Sequence, residues 1–226
     1  MSWKNMSWIK TSWQSKAWKI SLLCLVVAGL TGTSLCAEQP GNTTQATEPP
    51  AGWVLKFSDD FERIAIGKNW KTARGDWSIR DGWLTGSGFS EKEIFCNKTF
   101  EGSQRLEFDA KTAETPCDLS GFINATPDGL RTAYFVGFGS ENNTCSKLLI
   151  AGSLVKEWPS TITPGKVYHQ VVQRDGNTIT HIINGKTVMT HQHDQPLTGP
   201  EHNKIGLYIF SLGQFDNVKI YTKPNK

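Results

Sequence analysis

Short stretches of alternating polar and apolar residues, separated by turn dipeptides, fill the chain from Trp53 onward. Asp81-Gly82, Asp175-Gly176 and Asn184-Gly185 are of the type that adopts the left-handed conformations of two-residue β-hairpins. Between the turns, stretches such as Arg105–Ala110 alternate with the period of two that places one strand face against a core. No stretch keeps the period of a helix. Many short strands without a βαβ rhythm predict an all-β sandwich or barrel.

The first 37 residues have the order of an export signal. Residues 1–19 carry four lysines and no acidic residue, Ile20–Leu30 is an uncharged apolar run, and the pattern ends at Ala37. This order predicts a signal peptide over residues 1–37, cleaved after Ala37. Two alternatives stay open, an uncleaved anchor if the apolar segment extends to about twenty residues, and a lipid on Cys36. All three predict an exported domain, periplasmic or extracellular, whose contact with a membrane is limited to the N-terminus.

Residues 38–52 are rich in proline, threonine, glutamine and glycine, and this composition predicts a disordered linker. The folded domain is then predicted over residues 53–223. The formal net charge is +3, but four of the lysines lie in the leader, so the remainder is close to neutral. Without a basic stripe, nucleic acid is excluded as a partner. A domain of this size can bury enough surface to fold without a cofactor, a metal or a disulfide.

Both ends of the predicted domain resemble the concanavalin A-like lectin and glucanase superfamily. The resemblance lies in Phe57–Phe61, Gly75–Leu84, Ile205–Tyr208 and Phe215–Val218, while Gly165–Gly185 is similar to laminin-G-like modules. The nearest group is that of the 3-keto-disaccharide hydrolase-like domains. The resemblance implies a two-sheet antiparallel jelly-roll sandwich, with a concave face that often holds sugar. A glycan or cell-surface polysaccharide is the partner that it implies.

The candidate catalytic carboxylates are Glu107 and Asp109, which lie on one predicted strand. Their side chains fall on one strand face, because side chains alternate. Laminarinase-type relatives place a further glutamate three residues after the aspartate, where this chain has Thr112, so the carboxylate pair of a retaining glycosidase is incomplete. We therefore expect a non-catalytic binding or surface-interaction module. Two alternatives stay open, a 3-keto-disaccharide hydrolase-like enzyme that uses Glu107 or Asp109 with His181, and an adhesion domain without a sugar ligand.

Three side chains are candidates for carbohydrate binding. His181 shares a strand face with Ile179 and Ile183, so it points either into the core or to a sugar-binding surface. His169, on a neighbouring predicted strand, leaves the same two alternatives. Trp158 lies on a predicted loop, where a large aromatic ring either forms a sugar platform or folds back over a sheet edge.

A calcium site and a disulfide are the remaining expectations. In a closed sandwich the last strand commonly pairs near the first, which would bring Asp216 close to Asp60. Several relatives bind calcium at this junction, and two aspartates there supply suitable oxygen ligands; the alternative is that both cap turns. Three cysteines follow the leader, Cys96, Cys117 and Cys145, and export would allow one pair of them to form a disulfide. The sequence leaves the pairing open and favours Cys117–Cys145, which would link segments near one predicted hairpin.

Overall fold

The computed structural model describes residues 50–88 and 90–224, so the predicted signal peptide and most of the predicted linker lie outside the described residues. Within these ranges a 3-10 turn spans Leu130–Thr132, a short helical turn spans Ser140–Asn143, and no helix is long and apolar enough to cross a membrane. The strands in the same ranges are Val54–Asp59 (β1), Trp70–Arg74 (β2), Asp76–Arg80 (β3), Trp83–Ser87 (β4), Glu91–Cys96 (β5), Ser103–Lys111 (β6), Asp118–Ala125 (β7), Tyr134–Gly139 (β8), Cys145–Ile150 (β9), Ser153–Pro159 (β10), Tyr168–Asp175 (β11), Thr178–Ile183 (β12), Lys186–Gln192 (β13), Lys204–Phe210 (β14) and Gly213–Lys223 (β15).

The strands form two antiparallel sheets. Sheet A has the order β13-β12-β11-β6-β15-β4-β3, with β1 also paired to β15. Sheet B has the order β10-β9-β8-β7-β14-β5-β2. Asp59 of β1 lies opposite Val218 of β15, so the predicted pairing of the first and last strands is confirmed. The predicted all-β, two-sheet jelly-roll sandwich is also confirmed.

The main core lies between the two sheets. In β6, Leu106 and Phe108 are fully buried and face this core, whereas the intervening Glu107 points to the outer face of sheet A. Sheet B contributes fully buried side chains such as Ile94 and Leu207. Each such side chain stabilises the fold by about 1.5–3 kcal/mol relative to an exposed position. The alternation of apolar and polar residues along β6 therefore corresponds to side chains that point alternately into the core and to the outer face of sheet A.

Sheet B carries a second apolar cluster on its outer face. Phe95, Phe122, Phe135 and Tyr208 belong to this cluster, and all four are less than a tenth exposed. Leu130, from the 3-10 turn, packs against them. Sheet B thus carries buried apolar side chains on both faces, which distinguishes its outer face from a simple solvated surface.

The structure contradicts the predicted disulfide between Cys117 and Cys145. Both thiols, like that of Cys96, are free and buried. The Cys117 thiol donates to the carbonyl of Leu212, at 3.1 Å from Sγ to O. The Cys145 thiol contacts the carbonyl of Ser140, at 3.8 Å. The two thiols therefore have separate partners. Burial raises the pKa of Cys117 to about 12, so this thiol stays protonated.

Candidate functional site

A groove of about 230 Å³ opens on the outer face of sheet B. Strand register places a row of side chains across it: Arg74 lies opposite Glu93, Glu93 opposite Tyr208, and Tyr208 opposite Ser120. Neighbouring strands are about 4.8 Å apart, so side chains in such a row lie within contact distance. We call this groove the Glu93 pocket. Its lining residues include Arg74, Glu93, Asp118, Arg131, Phe135, Lys147 and Tyr208.

Glu93 is a buried carboxyl group in the wall of this pocket. Its Oε1 accepts a hydrogen bond from the backbone N–H of Leu130, at 2.8 Å. Gly129 leaves room for this approach, since a Cβ there would lie 2.4 Å from Oε1. Burial raises the pKa of Glu93, while the Leu130 N–H and the charges of Arg74 and Arg131 oppose the shift. The net effect of these influences is that the pKa of Glu93 is raised above the ordinary value of a glutamate.

Asp118 is a second buried carboxyl group, at the start of β7. Its two oxygens accept hydrogen bonds from the hydroxyls of Ser120 and Ser140, the latter at 2.7 Å. Burial raises the pKa of Asp118; the two serine hydroxyls and the charge of Lys147 oppose the shift without cancelling it. The environment of Asp118 therefore favours its neutral, proton-donating form.

The rest of the pocket combines aromatic rings with a cation. The rings of Phe135 and Tyr208 meet edge to face, with centroids 5.2 Å apart. Burial, with the charge of Asp118, raises the pKa of Tyr208, so its hydroxyl stays protonated. Burial alone would lower the pKa of Lys147, but its ion pair with Glu141 outweighs this effect. The pocket thus offers apolar contact, a fixed positive charge and two carboxyl groups that can exchange protons.

Glu107 and Asp109, the predicted carboxylates, lie on the outer face of sheet A. Glu107 is paired with the guanidinium of Arg105, at 2.5 Å. Asp109 accepts from Asn217 at 3.0 Å and contacts the Nδ1 atom of His169 at 2.8 Å. The structure brings Asp109 and His169 together, on the sheet that does not carry the Glu93 pocket.

His181 is fully buried in the core between the sheets. Its Nε2 lies 3.0 Å from Oε1 of Gln170, and burial lowers its pKa to about 3, so the ring is neutral. The ring of Trp158 packs edge-on against it, with centroids 6.0 Å apart. His181 therefore shares no groove with Glu107 and Asp109, because strand alternation points those carboxylates outward and His181 inward. Trp158 packs against the core instead of standing free as a platform.

Asp60 and Asp216, the predicted calcium ligands, each accept a hydrogen bond from a nearby backbone N–H, of Glu62 and Asn217 respectively. Burial, together with the charges of Asp109, Glu62 and Asp60, raises the pKa of Asp216 to about 6. Within residues 50–88 and 90–224, no group of three or more histidine, cysteine, aspartate or glutamate side chains is arranged to hold a metal. The aspartates act as turn caps, and calcium binding stays a prediction.

Glu93 and Asp118 were missed because neither belongs to a known motif. The signal that could have identified them is the chemistry of the outward positions in sheet B. Glu93 alternates with buried Ile94 but is followed two residues later by Phe95, and Asp118 is followed by Ser120 and Phe122. Charged and large apolar residues on the same outer face indicate a face that is partly covered.

Comparisons with known proteins agree with this architecture. The model of one family, described as 3-keto-alpha-glucoside-1,2-lyase-like domain, matches residues 60–221. This match covers more than two thirds of the chain. No curated protein matches the sequence.

Solved structures with similar folds include several from bacilli. The carbohydrate binding module CBM66 from Bacillus subtilis is 14% identical, with a TM-score of 0.58, covering 70% of this chain and 99% of that one. A Bacillus subtilis protein of unknown function with a galectin-like fold is 14% identical, with a TM-score of 0.62, covering 76% and 97%. A Bacillus licheniformis beta-glucanase is 16% identical, with a TM-score of 0.56, covering 74% and 97%. At these identities the likeness concerns the fold alone.

Proposed function

The chain belongs to the family of 3-keto-alpha-glucoside-1,2-lyase-like domains, and from this premise we propose that it binds a sugar in the Glu93 pocket. The observation that carries the proposal is the pairing of buried carboxyl groups with aromatic rings in one groove. Sugar hydroxyls need hydrogen-bond acceptors and donors, while the C–H face of a sugar ring needs apolar contact. Glu93, Asp118 and Lys147 supply the polar partners, and Phe135 supplies the apolar surface.

Cleavage of the bound sugar is the second candidate function, favoured by the raised pKa values of Glu93 and Asp118. In a 3-keto glucoside the carbonyl group at C3 acidifies the C2–H bond. A base that takes the C2 proton leaves the C–H electron pair to form a C1–C2 double bond. The C1–O bond then breaks, and an acid protonates the departing oxygen. Atoms and electrons balance without a further reactant.

The two environments divide these roles. Glu93 receives a backbone N–H and lies near the cations of Arg74 and Arg131, all of which favour its ionised form as the base. Burial raises the pKa of Asp118 although the Ser120 and Ser140 hydroxyls and the charge of Lys147 oppose the shift, and we therefore assign Asp118 the role of the acid.

Export is part of the proposal and is supported by the N-terminal sequence alone. An exported sugar-binding domain would meet free glycans or a cell-surface polysaccharide. Fractionation of the producing cells tests this directly, because a cytoplasmic chain that keeps residues 1–37 contradicts export. Mass spectrometry of the purified chain distinguishes cleavage after Ala37 from lipidation at Cys36.

Binding is tested with a glycan array and with calorimetry, comparing Glu93→Gln with Asp109→Asn. Glutamine keeps a carbonyl oxygen for Leu130 but converts the other acceptor into a donor, so we expect affinity to fall about tenfold or more. Asp109→Asn is the matched control, because it neutralises a carboxylate on the other sheet. Loss of binding in Asp109→Asn alone would place the site on sheet A. No binding to any glycan by the folded chain would leave the adhesion alternative.

Turnover is tested on a 3-keto α-glucoside by following release of the leaving alcohol. If the pocket cleaves the sugar, Glu93→Gln lowers kcat by about 10²–10⁴-fold, the range for loss of one proton-transfer group. Binding of the intact substrate without turnover by the wild type assigns the chain to the non-catalytic alternative.

A further inference from the structure

Five lysines gather around residues 97–99, the segment that follows β5. Lys204 donates through Nζ to the carbonyls of Asn97 and Lys98, at 3.3 and 3.2 Å. The side-chain amide of Asn97 donates to the carbonyl of Lys68 at 3.0 Å. The five lysines are far apart in the sequence, so they form no basic stripe there. We call the group the lysine patch; its members are Lys56, Lys68, Lys71, Lys98 and Lys204.

Aromatic rings and a shared depression bring the other members into the patch. Lys71, on β2, lies opposite Phe95 and holds its Nζ 5.5 Å from the centre of that ring. Lys98 lies over the ring of Phe57 at 5.1 Å, and it lines a depression of about 400 Å³ together with Lys56. The patch therefore covers the place where β1 of sheet A adjoins β2, the edge strand of sheet B.

The charge of the patch is not balanced within the domain. In the stretches 50–88 and 90–224, no carboxylate forms an ion pair with any of the five lysines. Four of the five are exposed, and Lys204 is half-buried. Glu101 is the acidic side chain among those that line the depression. Because the chain after the leader is close to neutral, the patch is a local excess of positive charge that attracts an anionic partner.

Exposed aliphatic side chains lie beside these lysines. Val54 and Leu55, at the start of β1, are 52% and 48% exposed. Val54 lies opposite Thr222, which lines the same depression as Lys56. Lysines next to aliphatic groups suit a membrane surface, where the cations meet anionic headgroups and the aliphatic groups enter the interface. A soluble anionic glycan would use the lysines and gain little from the aliphatic groups.

The N-terminal part of the chain joins the domain beside the patch. The ring of Trp53, the residue before β1, lies 5.8 Å from Nζ of Lys223. Lys223 follows Thr222, which lines the depression beside Lys56. The chain before Trp53 carries the predicted export leader with its apolar run Ile20–Leu30. A leader held in a membrane would therefore tether the domain by the end that carries the lysine patch, which raises the effective concentration of the patch at that surface.

We propose that the lysine patch, with Val54 and Leu55, docks the folded domain onto an anionic phospholipid surface. This contact is additional to any anchor in residues 1–37. It is also separate from the Glu93 pocket, because that pocket and the depression in the patch share no lining residue. Each lysine near an anionic surface strengthens binding about fivefold, so loss of two should weaken docking about 25-fold.

Lysine labelling of the full chain on vesicles tests this docking. The vesicles consist of phosphatidylcholine alone or of phosphatidylcholine mixed with phosphatidylglycerol. A water-soluble reagent acetylates the accessible lysines, and peptide mass spectrometry reports each lysine separately. On the anionic vesicles we expect acetylation of Lys56 and Lys98 to fall about fivefold or more. The protection should disappear in about 1 M salt, where the Debye length is about 3 Å.

Two exposed lysines outside the patch, Lys166 and Lys186, are the internal controls. Lys166 matches Lys98, because its Nζ also lies over an aromatic ring, that of Tyr168 at 5.1 Å. Both controls should be acetylated equally on the two kinds of vesicle. Because the labelling is resolved by residue, it distinguishes docking of the domain from membrane binding by the leader.

A double variant identifies the residues that carry the contact. Lys56→Gln combined with Lys98→Gln should return acetylation of the remaining patch lysines to its level on neutral vesicles. Lys166→Gln combined with Lys186→Gln is the matched control, and it should keep the protection of the patch. All four side chains are exposed, so neither double variant should disturb the fold.

Three results would overturn the proposal. The first is equal acetylation of patch and control lysines on anionic vesicles. The second is the same loss of protection in both double variants, which would assign the effect to overall charge. The third is protection of the patch by heparin, a soluble anionic polysaccharide, in a chain that anionic vesicles leave unprotected. In that case the partner of the patch is a glycan.

Discussion

Replacement of Asp59 by alanine is expected to destabilise the domain strongly. Asp59 accepts hydrogen bonds from the backbone N–H of Phe61 at 3.0 Å and from Nε1 of Trp70 at 2.8 Å, and it pairs with both terminal nitrogens of Arg63. Phe61 and Trp70 are 0% and 5% exposed. Asp59→Ala therefore leaves two buried N–H groups without an acceptor, while the half-exposed Arg63 can turn to solvent.

The size of the loss follows from the two buried donors. Each unsatisfied buried donor costs about 1–3 kcal/mol, and the groove beside Asp59 admits water, which favours a total of about 2–4 kcal/mol. A domain of this size loses about 2–4 °C per kcal/mol, so the Tm should fall by about 4–16 °C. Urea denaturation and thermal unfolding at neutral pH measure both quantities.

Asp60→Ala is the matched control, because Asp60 is the exposed neighbour with one backbone hydrogen bond, to Glu62. Its effect should stay within about 0.5 kcal/mol. Burial would raise the pKa of Asp59, but its hydrogen bonds from Arg63, Trp70 and Phe61 lower it overall. Its stabilising effect is therefore present above the unfolded pKa of about 3.9 and is lost as pH falls through the folded value. The reasoning is refuted if Asp59→Ala and Asp60→Ala lower the free energy of unfolding equally. It is also refuted if the difference between Asp59→Ala and the wild type does not shrink as pH falls.

Two further predictions concern carboxyl groups with raised pKa values. A carboxyl group whose pKa is raised in the folded state lowers the stability of the fold once pH rises above its unfolded pKa, because folding then disfavours its ionised form. Asp118→Asn should therefore have a higher Tm than the wild type at about pH 8 and a similar Tm near pH 4. Thermal unfolding across this range checks it, and a gap independent of pH contradicts it. The wild type should likewise lose stability between about pH 4 and pH 6 through Asp216, and Asp216→Asn should remove this loss in urea denaturation. If the unfolding free energy of Asp216→Asn falls with pH as that of the wild type does, the loss does not come from Asp216. If the predicted calcium site exists, millimolar calcium raises the Tm of the wild type and not of Asp216→Asn; an unchanged wild-type Tm contradicts the site.

The fold could be predicted because its signals are local. Alternation along β6 and the Asn184-Gly185 turn each act over a few residues, and the structure places both where the sequence indicated. The Glu93 pocket could not be predicted in the same way. It depends on β5 and β7 being joined through β14, which begins 79 residues after the end of β7. No spacing in the sequence encodes that order.

The two outer faces also explain why the carboxylates chosen from the sequence differ from those of the candidate site. On sheet A, Glu107 has Arg105 as a counter-ion, and Asp109 has Asn217 and His169. These groups satisfy one another, as a structural surface network does. On sheet B, burial raises the pKa values of Glu93 and Asp118, so ionisation of either carboxyl group costs stability.

A cost of this kind can be offset only elsewhere in the fold or by a bound ligand. The turn at Glu141–Asn143, whose three residues have φ values of 50°, 58° and 65°, adds a second cost beside this face, and Glu141 pairs with Lys147. Two independent sources of instability therefore meet at the part of the Glu93 pocket that Asp118 and Lys147 line. A ligand that binds only the folded chain would offset both, by an amount that grows with its affinity. A sugar that binds the Glu93 pocket should consequently raise the Tm of the wild type more than that of Glu93→Gln, whereas Asp109→Asn should respond as the wild type does.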